Sequence, residues 1–168
     1  MEVFWNIVFY FAYRFDYRLH LLFNKINPFI LLYRLPHSKR NFEKLGVDPM
    51  NALNKAFKRP DIGISSIRSG GLMYVLVFLI CWGTVNFYSA IIQKELNLKF
   101  YVFIIFILIS FVVNHFLLFK QDKYLSYFKE FEKMEKQEKK KWGWLSLIVI
   151  IGIFLYSIGS FVFMNYRL

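Results

Sequence analysis

The chain has 168 residues, of which 57% are hydrophobic and 21% aromatic, with 21 phenylalanines. That lies far above soluble-domain norms and leaves little polypeptide for an independent soluble domain. Lys and Arg outnumber Asp and Glu by 22 to 11, for a net charge of +11, which implies an anionic neighbour. The single cysteine, Cys81, excludes a disulfide framework and a thiolate metal site.

Residues 1–35 read as an amphipathic segment. Val3, Phe4, Ile7, Val8, Phe11, Phe15, Leu19, Leu22, Phe23 and Ile26 recur at three- and four-residue spacing, the signature of one helical face. Glu2, Asn6, Tyr10, Tyr13, Tyr17 and Asn24 lie opposite. As a spanning helix it would carry Arg14, Asp16 and Arg18 into lipid at about 2.5–3.5 kcal/mol each. The expectation is therefore an in-plane interfacial helix; a fourth span becomes the alternative if those charges face protein. No basic n-region or small-residue cleavage site follows Met1-Glu2, so no cleaved signal peptide is expected. Asn27-Pro28 should end the helix, and residues 29–35 are a second apolar piece too short to cross.

Residues 36–70 have the composition of a basic linker. Asp48-Pro49 is a helix start, with Asp at the cap and Pro at the first helical position, and a short helix should cover 49–58. Residues 61–69 read as loop and Gly70-Gly71 as a flexible entry to the first apolar span.

Three long stretches of the chain carry no charge: 69–93, 100–119 and 142–166. A helix of 25 residues rises about 37 Å, more than the ~30 Å of bilayer hydrocarbon. Spans are assigned to 71–93, 100–119 and 142–166, with a turn near 120–123 and one lysine-rich helix over 120–141. The fold class is an all-α integral membrane protein: an interfacial N-terminal helix followed by three transmembrane helices.

Residues 34–68 hold eight Lys+Arg against three acids, and 120–141 hold eight lysines against five acids. The loop between the first two spans has two basic residues and the tail only Arg167. By the positive-inside rule both basic segments are cytoplasmic, which leaves the C-terminus outside the cell membrane.

Polar residues within the spans are the candidate sites. Gly83, Asn86 and Ala90 share one face of the first span. Gly152 and Gly159 repeat a small-residue spacing in the third, so these glycines and Ala90 are assigned to helix packing. Asn86, Asn114 and His115 are assigned to an interhelical contact or a pore lining. Lys39, Arg40, Lys55, Lys58, Arg59, Arg68, Lys139, Lys140 and Lys141 are assigned to anionic lipid headgroups, a nucleotide or an oligonucleotide. Arg14 and His20 fit the loose Arg-x(4–6)-His spacing of HEPN-type ribonucleases, but in a membrane-facing helix they read as headgroup contacts. With no Asp or Glu in any span and no close histidine pair, the chain is read as non-enzymatic, without cofactor or metal.

In size, span count and charge the chain resembles the small multi-span membrane effectors of bacterial antiphage systems. That resemblance implies a homo-oligomeric channel or pore gated by an anionic nucleotide or oligonucleotide on its basic cytoplasmic face. The alternative is a non-conducting membrane anchor or adaptor subunit of a larger complex, holding a cytoplasmic protein partner.

Overall fold

The computed structural model describes every residue except 28–31, 33, 34, 45, 47, 95–98 and 168, and also leaves out the side chains of Lys39 and Glu43. The described residues form helices: α1 (Glu2–Ile26), α2 (Pro36–Lys44), α3 (Pro49–Lys58), α4 (Ile64–Ile92), α5 (Phe100–Asn114), α6 (Lys123–Lys133) and α7 (Lys136–Arg167). A π turn (His115–Phe119) and a 3-10 turn (Lys120–Asp122) join α5 to α6. Among the described residues, three helical stretches are long and apolar enough to cross a membrane: α4, the run that begins with α5, and α7. Most of the short apolar piece expected at 29–35 and most of the loop at 94–99 lie outside the described residues.

The chain divides into two compact units, Met1–Phe11 with Gly70–Leu168, and Ala12–Ser69. The first holds α5, α7 and α4 from Gly70 onward. Its core is aromatic: the Phe9 ring lies 5.9 Å from Phe119, 5.5 Å from Tyr124 and 5.2 Å from Phe128. Tyr10 meets Phe128 at 5.1 Å and Phe131 at 5.6 Å, edge to face. Such pairs add about 0.5–1.5 kcal/mol each beyond the burial itself. Trp5, Asn6, Ile7, Val8, Phe9 and Tyr10 are all buried, so this stretch of α1 is enclosed on every side. The expected arrangement, one apolar face in lipid and a polar face in water, does not describe these residues. Their Asn and Tyr side chains are buried together with the apolar ones.

Two helix boundaries differ from the sequence reading. α4 starts at Ile64, several residues before 71, and runs without interruption through Gly70-Gly71. The loop is confined to the few residues before it, where Gly63 N–H donates to Arg59 O at 3.0 Å and Gly63 O receives Ile67 N–H at 3.0 Å. No proline follows Pro60 in this stretch, so nothing stops the helix from propagating backward to that turn. The lysine-rich helix expected over 120–141 is two helices, broken at Met134, whose ψ of 149° is extended. Tyr124, Phe128 and Phe131 commit the face of α6 to the aromatic core, and Lys139 Nζ bonds the freed Glu132 carbonyl at 2.6 Å. The reversal at 120–122 is made by Gln121 and Asp122, both at positive φ.

α4 ends in a left-handed cap. Gln93 has φ 51°, Lys94 N–H returns to Ser89 O at 3.3 Å, and Ser89 Oγ donates to Lys94 O at 2.6 Å. The six-to-one backbone bond is that of a Schellman motif.

In the second unit, Asp48 Oδ1 accepts from Met50 N at 2.9 Å and Asn51 N at 3.2 Å, capping α3 at Pro49. The polar side of α1 lies on α3: Tyr13 OH donates to Lys58 O, and His20 stacks on Phe57 with ring centroids 3.5 Å apart.

Candidate functional site: buried amides and exposed bases

Within the first unit the densest polar constellation surrounds Asn114, which is fully buried. Its Nδ2 donates to Met73 O at 3.2 Å and Ser110 O at 2.9 Å, and its Oδ1 accepts from Trp5 Nε1 at 2.9 Å. Next to it the backbone leaves α-helical pairing at the π turn, which frees carbonyls that need donors. Asn6 Nδ2 supplies one, to Leu117 O at 2.9 Å. Trp5 and Asn6 thus close the irregular end of α5. The Asn114 amide has three hydrogen bonds within its own chain.

Asn86 is buried too, with Nδ2 3.4 Å from Ser160 Oγ on α7. One turn earlier the missing side chain of Gly83 makes room for Tyr156: a Cβ there would sit 2.4 Å from its ring. The Tyr156 hydroxyl bonds Thr84 Oγ1 at 3.1 Å, and its ring lies 5.3 Å from Phe87. The Gly83–Asn86 face of α4 therefore packs on this chain's own α7. Ala90 is buried at 2% exposure. Gly152 and Gly159 are exposed, with open space where a side chain would begin. His115 is exposed and stacks on Phe111 at 6.1 Å.

Gly83→Leu should displace the Tyr156 ring and cost about 1–3 kcal/mol, the usual range for overpacking. Thermal unfolding in detergent should show the loss, and Gly83→Leu with Tyr156→Ala should recover part of it.

The basic residues divide by chemistry. Arg59 Nε and Nη2 bind both Asp61 oxygens, at 3.2 and 2.7 Å. That hydrogen bond holds the Asp61 carboxyl down to about 2. Arg68 Nη1 lies 3.3 Å from Asp16 Oδ1. Arg59 and Arg68, two of the three arginines assigned to an anionic ligand, are thus already engaged by carboxylates. Arg40, Lys55, Lys58, Lys140 and Lys141 are exposed or partly so, Lys139 Nζ makes one bond to the Glu132 carbonyl, and the Lys39 side chain lies outside the described residues.

Sequence reading missed the cluster of His20, Asn24 and Asn54. His20 Nε2 is 2.9 Å from Asn24 Nδ2 and 3.2 Å from Asn54 Oδ1, and Asn24 Nδ2 donates to Asn54 Oδ1 at 3.2 Å. Asn24 lies one turn beyond His20 and marks a polar face; the surface which that face meets, 30 residues later on α3, has no local signal. The cluster joins α1 to α3. Among the described residues no group of three or more His, Cys, Asp or Glu could hold a metal ion.

Comparison with family models, with curated proteins and with solved structures found no match.

Proposed function

We propose that this protein is a multi-pass membrane anchor or adaptor subunit. Its three apolar helices hold it in the cell (inner) membrane, with the N-terminus cytoplasmic and the C-terminus outside. Its exposed lysines present a cationic face to a cytoplasmic protein partner with an acidic surface. The observation that carries this reading is the use of the intramembrane amides: Asn114 makes three hydrogen bonds, with Trp5, Met73 O and Ser110 O, and Asn86 meets Ser160. Amides held this way stabilise a bundle, and both N–H donors of Asn114 are committed to protein carbonyls rather than offered to water or ions.

The second reading is the homo-oligomeric channel gated by an anionic nucleotide or oligonucleotide, as in antiphage defence. What favours it is α7, whose Gly152 and Gly159 are open to close approach by a second helix. A pathway formed by copies around an axis would be lined by apolar side chains and would gate by dewetting. Purified protein in planar bilayers, exposed to ATP, a cyclic dinucleotide and an oligonucleotide in turn, separates the two. The anchor reading predicts silence throughout. Unitary currents that Gly159→Leu abolishes would establish the channel.

A further inference from the structure

In the second half of α1 the usual arrangement of an amphipathic helix in a water-soluble protein is inverted. Tyr13, His20 and Asn24 are the side turned to α3, where they meet Lys58 O, Phe57 and Asn54. The opposite side carries Phe15, Leu22 and Ile26, at i, i+7 and i+11, which are 56%, 55% and 81% exposed. Phe23, at its margin, is 66% exposed. A helix in water turns its apolar stripe inward; this one covers its polar side and leaves the apolar stripe open. Arg18 and Lys25, both exposed or partly so, run along one edge of that stripe. The unit that contains it, Ala12–Ser69, holds eleven Lys+Arg and four Asp+Glu. Of the four acids, Asp16 and Asp61 are engaged by Arg68 and Arg59, and Asp48 caps α3.

We infer that the stripe Phe15–Leu22–Ile26, with Arg18 and Lys25 at its edge, is a docking surface for an anionic lipid bilayer. The stripe is roughly 16 Å long at 1.5 Å per residue, and a helix lying in the interface buries such a face about 5–10 Å into the headgroup and acyl boundary. The bases then lie at headgroup level, where anionic lipid attracts them. Nucleic acid would use the charge and leave the apolar stripe in water. The inference rests on the proposed membrane insertion, because α4 runs unbroken from Ile64, in this unit, into its apolar stretch.

The test uses the full chain in nanodiscs containing phosphatidylglycerol, in a Cys81→Ser background. Single spin labels are placed by Phe15→Cys, Leu22→Cys and Ile26→Cys, with Asn51→Cys as a water-exposed control and Ile151→Cys as a control on α7. Power saturation with oxygen and with a water-soluble nickel chelate reads depth. The expected result is oxygen-favoured, shallow immersion at 15, 22 and 26, deep immersion at 151 and nickel access at 51. Arg18→Glu with Lys25→Glu should raise nickel access at 22 several-fold. Nickel access at 15, 22 and 26 with 151 still deep overturns the inference alone; nickel access at 151 as well overturns the membrane insertion on which it rests. Low access to both reagents at the stripe means that protein covers it, and overturns the lipid assignment.

Discussion

Gly63→Ala should open the turn before α4 and leave the chain cleavable there. An alanine Cβ at this position would lie 2.0 Å from Arg59 O and 2.9 Å from Arg59 C and N, all backbone atoms. A side chain can swing aside, whereas these atoms belong to the turn itself. Relief requires breaking the Gly63 N–H bond to Arg59 O and shifting the start of α4. We expect a loss of at least about 3 kcal/mol, the upper end of overpacking, read as a rate of tryptic cleavage after Lys58 and Arg68 raised by about two orders of magnitude. Gly71→Ala is the control. Nothing lies within 4 Å of its would-be Cβ inside the continuous helix, so the change should be neutral or stabilising by about 0.5–1 kcal/mol. If Gly71→Ala were the damaging one of the two, that position would be a hinge.

Asn114→Leu should be comparably severe for a different reason. It removes three hydrogen bonds at once and leaves the Trp5 indole N–H buried without its acceptor. An orphaned buried donor costs about 1–3 kcal/mol by itself, and the lost bonds to Met73 O and Ser110 O add to it. A marked fall in Tm in detergent is expected. Because part of the loss is the orphaned indole, Trp5→Phe should cost less in the Asn114→Leu background than alone. That non-additivity should reach about 1 kcal/mol. Additive losses would mean that Trp5 and Asn114 do not act as a pair.

Local chemistry was legible in the sequence. Asp48-Pro49 marks the start of α3 because both residues act within one turn, and the three uncharged stretches stand out by length alone. Whatever depended on a distant neighbour was hidden. Hydrophobic periodicity in α1 reports an apolar face but cannot distinguish lipid from protein around it. Trp5 to Tyr10 are enclosed by residues more than 100 positions away, and the polar side of the same helix is covered by α3. Asn114 and Asn86 stood out as polar residues in apolar helices; their partners, Trp5 and Ser160, could not be found from spacing. The break at Met134 has no Gly or Pro to announce it. It arises from the competing demands of the aromatic core on α6 and the continuous apolar run of α7.

The three-helix membrane reading is tested most directly by asking on which side of the membrane the two ends of α7 lie. A topology reporter inserted within 133–141 should be cytoplasmic, and one fused after Arg167 should be outside the cell membrane, each in a chain that resists carbonate extraction. Both reporters on the same side would mean that α7 does not cross, and would contradict the three-helix topology.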